Sequence, residues 1–168
     1  MNPARTLQTP RLQLRLPVAS DLPVYTAFAA SARANLVGGP FDAPRAFEKL
    51  AAMIGHWDLR GWGRYVIEHD GRAIGHCGPL DTFGDTPEMT WTLWDATAAG
   101  QGFATEAVQE VIRHLFDDCG WSDLKICIDP TNAASHRMAR RIGASITDLP
   151  GPTRWPEAQT YTLHRSAA

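Results

Sequence analysis

Cysteine is scarce in this sequence, which contains only Cys77, Cys119 and Cys127 in 168 residues. An odd number of cysteines without a Cys-x-x-Cys pair suggests neither a disulfide framework nor a zinc knuckle. Reduced thiols in a cytoplasmic protein fit this composition best. No metal site is expected either, because the histidines lack the His-x-x-x-His and Glu-x-x-His spacings of metal-binding helices.

Long apolar runs and a large net charge are also absent. No segment approaches the roughly 18 apolar residues that a membrane-spanning helix needs, and the N-terminus lacks the apolar core of a signal peptide. The formal net charge of -2 gives no general electrostatic reason to bind nucleic acid or an anionic membrane. We therefore expect a cytoplasmic protein whose partners include neither nucleic acid nor a membrane.

The composition is that of a folded globular protein. Hydrophobic residues make up 44% of the sequence and charged residues 20%, with no low-complexity run. These proportions exclude intrinsic disorder, collagen-like repeats and a simple coiled coil. Because the length falls within the usual range of one domain, we expect residues 1–168 to form a single domain without internal repeats.

Hydrophobic periodicity and turn residues predict alternating strands and helices. Alternating leucines predict a first strand, Ser20 or Asp21 supplies an N-cap for the first helix, and Asp70-Gly71 favours a tight hairpin turn. The predicted strands are 11–16, 64–68, 72–80, 88–94, 124–128 and 160–164, and the predicted helices are 22–29, about 43–60, 102–115 and 133–142. The order strand, helix, strand around residue 124 predicts a parallel crossover.

The most informative stretch is a glycine-containing turn between a strand and a helix, residues 94–107. Gly100 and Gly102 let the backbone approach a ligand, and the free N–H groups of a first helical turn attract phosphate. The turn is not a P-loop, because no Gly-Lys-Ser/Thr follows, and Thr105 replaces the third glycine of the dinucleotide fingerprint. It either cradles a pyrophosphate or only shapes the connection between strand and helix.

The sequence Gly-Gln-Gly-Phe-Ala-Thr-Glu-Ala at 100–107 resembles the pyrophosphate loop of the GNAT acyl-CoA N-acetyltransferases, whose pattern is Gln/Arg-x-x-Gly-x-Gly/Ala. Residues 128–144 resemble the Asn-x-x-Ser helix of the same family. Residues 9–15, with Asp21-Leu22 beyond them, resemble the entrance strand of the subgroup that includes the ribosomal-protein alanine acetyltransferases. The chain departs from the pattern at two positions, Thr97 in place of Gln or Arg and Ala144 in place of Phe.

This resemblance implies an α/β fold with a mixed, mostly antiparallel central sheet, flanked by helices, and a parallel, splayed strand pair at the acyl-CoA site. It implies direct transfer of an acetyl group from acetyl-CoA to a primary amine, on a small molecule or a protein N-terminus, in a ternary complex without a metal. The acceptor amine is the implied partner, and a homodimer is one assembly that the family allows. The alternative is a non-catalytic acyl-CoA-binding or regulatory module on the same fold.

The resemblance also assigns residues to cofactor binding. They lie at the end of a strand, in the glycine turn and before the last helix: Leu93, Trp94, Gly100, Gln101, Gly102, Phe103, Ala104, Thr105 and Asn132. For Asn132, a role only as the N-cap of the last helix is an equal alternative.

Two residues are candidates for the proton transfers of amine acetylation. An alkylamine, with a pKa of about 10, is mostly protonated at neutral pH, so some group must accept its proton, and a carboxylate near the acceptor fits that role. Glu88 is that candidate, although counting back from Gly100 places the family's glutamate at Met89; a solvated carboxylate at the strand end is the alternative. The resemblance gives Ser135 the role of proton donor to the leaving thiolate, because Ala139 stands where many relatives have a tyrosine. Ser135 otherwise only satisfies backbone groups at the helix end.

The remaining polar and aromatic residues are expected to be structural. Cys77 is interpreted as a packed thiol, and His76 and His136 as ordinary packing or surface residues. Among the tryptophans, Trp62 is the best candidate for a ligand contact because it lies between glycines, whereas Trp57, Trp91 and Trp94 are expected in the core. Acceptor specificity is assigned to three loops, 33–44, 83–87 and 149–156.

Overall fold

The computed structural model describes residues 2–81, 86–153 and 155–165. Within these ranges the strands are β1 Thr6–Gln8, β2 Gln13–Arg15, β3 Tyr65–His69, β4 Arg72–Leu80, β5 Glu88–Leu93, β6 Asp123–Ile128, β7 Ser145–Ile146 and β8 Gln159–His164. The helices are α1 Leu22–Ala29, α2 Ala43–Arg60, α3 Phe103–Arg113 and α4 Ala133–Arg141. The eight strands form one sheet in the order β1-β2-β3-β4-β5-β6-β8-β7.

The sheet is mixed, because β5 and β6 are parallel while all other neighbouring strands are antiparallel. β5 and β6 are in register only at Glu88 and Lys125, where the Lys125 N–H donates to the Pro87 carbonyl over 3.0 Å. Beyond this point the two strands diverge toward their C-terminal ends. The predicted α/β fold, with its parallel crossover and its splayed strand pair, is confirmed.

Helices cover both faces of the sheet. On one face, α1 and α2 bury Tyr25, Phe28, Leu50 and Met53 against the sheet. On the other face, the apolar stripe of α3 packs with α4 on the sheet, burying Phe103, Ala107, Val108, Val111, Met138 and Ala139. A stripe of apolar residues at helical spacing faces the sheet because that orientation removes the apolar surface from water.

Alternation along β5 sorts its side chains between these two layers. Met89 belongs to the core beneath α3 and is fully buried, whereas Trp94 packs among the side chains of α1 and α2. Side chains on a strand alternate in direction, so Glu88, Thr90 and Thr92 face the α1 and α2 layer with Trp94. The sequence pattern predicted this division, and it decides which side of the sheet Glu88 reaches.

The N-terminal segment differs from the prediction. The predicted first strand is shorter, at β2, and pairs with β1, which has too few apolar residues to show a period. Asp21 lies at the N-cap position of α1 but does not cap the helix with its side chain. Its carboxylate instead accepts hydrogen bonds from the Val18 N–H and from the Arg15 guanidinium, at 2.8 to 2.9 Å.

The other predicted elements are confirmed within one to three residues. α2 begins and ends as predicted, with the Asp42 carboxylate accepting from the Arg45 N–H at its start and Gly61, at φ +74°, at its end. The helix predicted at 102–115 is α3 followed by a π-helical turn, His114–Asp118. The short β7 was not predicted, because two residues cannot display a period.

Candidate active site

A cavity of about 520 Å³ lies where β5 and β6 diverge. Glu88, Asn132 and Ser135 all line it. Leu36, Val37, Gly38, Phe41 and Trp155 also line it, so two of the three loops predicted to select the acceptor contribute to its wall. The third predicted loop, 83–87, lies mostly outside the described residues.

Asn132 and Ser135 have separate roles at the start of α4. The Asn132 side-chain oxygen accepts a hydrogen bond from the Ser135 backbone N–H over 3.1 Å, so the predicted N-cap is confirmed. The Ser135 hydroxyl instead accepts from the Trp91 indole N–H over 3.2 Å. Because the hydroxyl oxygen accepts in that bond, its own proton can be donated to another group.

Glu88 is buried, with 3% of its surface exposed. The alternative of a solvated carboxylate at the strand end is therefore wrong. Glu88 lies on the α1 and α2 side of the sheet, whereas Met89 is buried on the opposite side, so Glu88 is the residue at this end of β5 that presents a carboxylate to the cavity. Trp91 and Ser135 line the cavity from the opposite side, and the gap between the strands joins the two sides.

The glycine turn leads into the N-terminus of α3. Gly100 and Gly102 have φ angles of +78° and +81°, a region that side-chain-bearing residues rarely adopt. The Gly102 carbonyl accepts the first helical hydrogen bond, from the Glu106 N–H over 3.0 Å. The N–H groups of residues 103–105 precede that bond and, as in other helices, have no partner within the helix. Together with the helix dipole, they form an arrangement suited to an anion.

Thr97, at the position where the family pattern has Gln or Arg, is hydrogen-bonded within the segment that precedes the turn. The Asp95 carboxylate accepts from the Thr97 hydroxyl over 2.7 Å and from the Thr97 N–H over 2.8 Å, and these bonds lower the pKa of Asp95. The Gln101 side-chain amide donates to the Thr97 carbonyl over 2.7 Å. The side chains of Thr97 and Gln101 therefore both make hydrogen bonds within the segment that leads into the turn.

Four of the other predicted cofactor residues also make contacts within the protein. The Phe103 ring lies 4.6 Å beneath the Arg11 guanidinium, and the Trp94 indole N–H donates to His76 Nδ1 over 2.9 Å. The Thr105 hydroxyl donates to Met138 Sδ over 3.3 Å, and the Leu93 carbonyl accepts from the Arg33 guanidinium over 3.2 Å. Of the described residues, 93–94 and 100–105 do not line the cavity, so the turn and the cavity are two separate parts of the candidate site.

A cluster around Glu106 ties the N-terminal segment to the glycine turn. Glu106 accepts hydrogen bonds from the Thr9 hydroxyl over 2.6 Å, the Arg11 N–H over 3.1 Å and the Arg11 Nε over 2.7 Å. Arg11 also donates to the Gln101 carbonyl over 3.1 Å. Burial alone raises the pKa of Glu106, but these bonds outweigh burial and hold the pKa below its usual value. The sequence analysis gave Thr9 and Arg11 only as part of a segment that resembles the subgroup. The structure shows that both residues hold Glu106, in the first turn of α3, by hydrogen bonds.

Two expectations about aromatic and sulfur side chains have different outcomes. Trp62, the predicted ligand contact, packs against Trp121 at 5.2 Å between ring centroids and is not among the residues that line the cavity, whereas Trp91 lines it. The contact of Trp62 with a ligand therefore stays a prediction. Cys77 is fully buried, and burial raises the pKa of its thiol far above the usual range, so the packed thiol is confirmed.

No group of three or more His, Cys, Asp and Glu side chains in the described part of the chain could hold a metal ion. Among the described helices, none combines the length and the apolar character that crossing a bilayer requires.

Comparisons with known proteins agree with this geometry. A family model for the acetyltransferase (GNAT) domain matches residues 11–145. The solved structure of an acetyltransferase from Agrobacterium tumefaciens strain C58 is 30% identical to this chain, with a TM-score of 0.88 over 96% of this chain and 95% of that chain. No curated protein gave a significant match.

More distant solved structures share the fold. An acetyltransferase from Salmonella typhimurium that modifies the N-terminal serine of ribosomal protein L7/L12 is 18% identical, with a TM-score of 0.75 over 94% of this chain and 97% of that chain. A ribosomal L7/L12 α-N-protein acetyltransferase in complex with coenzyme A is 16% identical, with a TM-score of 0.77 over 95% of this chain and 97% of that chain.

Proposed function

The chain belongs to the GNAT family of acetyltransferases, and from that premise we propose that it transfers an acetyl group from acetyl-CoA directly to a primary amine, on a small molecule or a protein N-terminus, with both substrates bound together. The observation that carries the proposal is that Glu88 and Ser135 line one cavity from opposite sides of the sheet. Amine acetylation needs a group that takes a proton from the nitrogen and a group that gives one to the sulfur.

The described residues fit coenzyme A. The N–H groups of residues 103–105, which come before the first helical hydrogen bond of α3, suit its pyrophosphate. The gap between β5 and β6, with the backbone of Leu93 and Trp94 along β5 and Asn132 at the cavity wall, suits its acyl arm. When bound, acetyl-CoA supplies an acetyl group activated as a thioester.

In this proposal, Glu88 accepts a proton from the ammonium nitrogen of the acceptor, so that the nitrogen has a lone pair for attack. A bond forms between that nitrogen and the acetyl carbon while the carbon–sulfur bond breaks. The Ser135 hydroxyl donates its proton to the departing sulfur, and Trp91 keeps the hydroxyl in place by its hydrogen bond to the oxygen. The nitrogen then loses its second proton, which restores the Ser135 hydroxyl, and Glu88 releases its proton to solvent. The products are the amide, the free thiol of CoA and one proton.

The test is a thiol-release screen with acetyl-CoA against polyamines, amino acids, aminoglycosides and peptide N-termini, with mass spectrometry of each product. We expect thiol release that requires an amine and yields the acetylated amine in equal amount. Binding of acetyl-CoA without thiol release for any amine would support the non-catalytic acyl-CoA-binding module instead. Glu88→Gln and Ser135→Ala, assayed beside the parent, distinguish enzymatic release from background hydrolysis.

A further inference from the structure

The half of the cavity on the α1 and α2 side carries charges and donors that the proposed proton transfers do not use. Lys49 of α2 and Arg64, just before β3, line this half together with Tyr25 of α1 and His76 of β4. The sequence did not indicate these four residues as a group, because they come from four separate elements. The acyl-CoA chemistry assigned to Glu88 and Ser135 needs none of them.

His76 presents a fixed hydrogen-bond donor. Its Nδ1 accepts from the Trp94 indole N–H over 2.9 Å, so the neutral ring carries its proton on Nε2. Burial, followed by the charges of Arg64 and Lys49, lowers the pKa of His76 well below its usual 6.5, and the ring is therefore neutral at physiological pH. The Nε2–H remains available as a donor at the cavity wall.

Tyr25 presents a second donor beside the first. Tyr25 is buried, with 5% of its surface exposed, and its ring centroid lies 6.4 Å from that of His76. Among the described residues the Tyr25 hydroxyl has no hydrogen-bond partner. Burial raises the pKa of Tyr25 and the nearby Arg64 charge lowers it, with a net rise, so the hydroxyl keeps its proton. A buried hydroxyl without a partner costs stability, which a ligand oxygen would recover.

The sheet register fixes where this group lies relative to Glu88. Gly78 of β4 pairs with Thr90 of β5, and a Cβ on Gly78 would lie 3.0 Å from the Arg64 Cα, so Arg64 lies level with Thr90 but two strands away from β5. Thr90 is two residues from Glu88, or about 7 Å along β5, and two strand spacings add about 10 Å across the sheet. His76 pairs with Thr92, one further row away. A ligand can therefore place one polar group near Glu88 and another near Arg64.

We propose that the acceptor is a small amino carboxylate, whose amine faces Glu88 and whose carboxylate binds Lys49, Arg64, the Tyr25 hydroxyl and the His76 Nε2–H. This inference rests on the proposed function and names its acceptor class. Cations and neutral donors together hold a carboxylate better than either alone. Polyamines and aminoglycosides would bring additional positive charge toward Lys49 and Arg64, so they are poor acceptors. The aromatic rings of Phe28 and Phe41 in the same wall suit an apolar substituent.

The first experiment compares kcat/KM for matched amines with and without a carboxylate. Phenylalanine is compared with phenethylamine, and 4-aminobutanoate with butylamine. We expect kcat/KM for at least one amino carboxylate to be about 100-fold higher than for the matched amine without a carboxylate, as two charge-assisted hydrogen bonds allow. Equal kcat/KM within each pair, or equal use of peptide amides that lack a carboxylate, would overturn the proposal.

Charge-removing variants locate the subsite. Arg64→Met and Lys49→Met should each reduce that preference by about tenfold or more, through a higher KM for the amino carboxylate, while the amine without a carboxylate keeps its kcat/KM. Arg45→Met is the matched control, because Arg45 is also on α2 but is exposed and paired with Glu48. An unchanged preference in both Lys49→Met and Arg64→Met would remove these residues from the subsite.

A binding measurement separates this inference from the proposed function. Calorimetry in the presence of CoA compares 3-phenylpropanoate with 3-phenylpropanamide, neither of which can be acetylated. We expect tighter binding of the carboxylate, lost in Arg64→Met. If this holds but no amine releases thiol, the carboxylate subsite stands and the transferase proposal fails. If amines are acetylated but the carboxylate binds no tighter than the amide, the transferase stands and the subsite is wrong.

Discussion

The Trp91 indole donates a hydrogen bond to the Ser135 hydroxyl over 3.2 Å. The bond connects β5 to the first turn of α4, the helix that follows β6, and so joins the two sides of the gap between the splayed strands. Since Asn132 caps α4, the Ser135 hydroxyl is not required by the helix end. Trp91 therefore fixes a hydroxyl whose proton is available to the cavity.

Ser135→Ala should lower kcat by about 100-fold, because the departing sulfur loses its proton donor. The unfolding temperature and the acetyl-CoA affinity should remain near those of the parent. Trp91→Phe keeps an aromatic ring but removes the indole N–H, so it should lower kcat by a smaller factor, about tenfold or less. Steady-state kinetics and thermal unfolding test both variants. A destabilised Ser135→Ala protein with nearly full turnover would show that the hydroxyl only supports the fold.

Gly102→Val should abolish acetyl-CoA binding measured by calorimetry. The new side chain forces a strained φ of about +81° and adds bulk beside the N–H groups of residues 103–105. Gly120→Val is the matched control, since Gly120 has a similar φ of +76° and open space around it but lies after α3. Unchanged affinity in a folded Gly102→Val variant would rule out the glycine turn as the pyrophosphate site.

Glu106→Gln should lower the free energy of unfolding at pH 7 by about 1 to 3 kcal/mol, because the carboxylate accepts hydrogen bonds from Thr9 and Arg11. The folded protein holds the pKa of Glu106 below its usual 4.5, so this stabilisation is complete above pH 4.5 and is lost as the pH falls through the folded value.

Denaturant unfolding of the parent and Glu106→Gln at several pH values measures this difference. It should be largest near neutral pH and shrink in acid. Glu48→Gln serves as the control, because Glu48 is exposed and its ion pair with Arg45 should contribute little. A difference between parent and Glu106→Gln that does not change with pH would mean that ionisation of Glu106 contributes nothing to stability.

The local parts of the fold and site could be predicted from the sequence, and the long-range parts could not. The Asp70-Gly71 turn, the ends of α2 and the Asn132 cap each depend on a few adjacent residues, and all are confirmed. The role of Asp21 could not be predicted, because its carboxylate is taken by Arg15 from a neighbouring strand. Propensity describes what a residue can do locally, and a tertiary partner can override it.

The half of the cavity on the α1 and α2 side shows the same limit. Tyr25, Lys49, Arg64 and His76 meet only because α1 and α2 pack over β3 and β4. No spacing in the sequence links them, so each one alone was indistinguishable from a packing or surface residue. The glycine turn could be recognised because it is a run of consecutive residues, which a short motif can specify.

Glu88→Gln should lose most activity near pH 7, because the amide cannot take a proton from the acceptor ammonium. Raising the pH should restore part of the activity as more of the amine becomes neutral. Glu110→Gln, which removes an α3 carboxylate paired with Arg113, is the control. A pH–rate profile that overlays the parent profile would show that Glu88 is a bystander. Asp81, which is paired with Arg60, would then be the next candidate for the base. Asp85, another candidate from the sequence, lies outside the described residues.

Direct transfer between two bound substrates is tested most directly by initial rates measured over a grid of acetyl-CoA and amine concentrations. Double-reciprocal plots should give intersecting lines, because both substrates must be bound before any product leaves. Parallel lines would contradict direct transfer, since they indicate that the enzyme itself carries the acetyl group between two half-reactions.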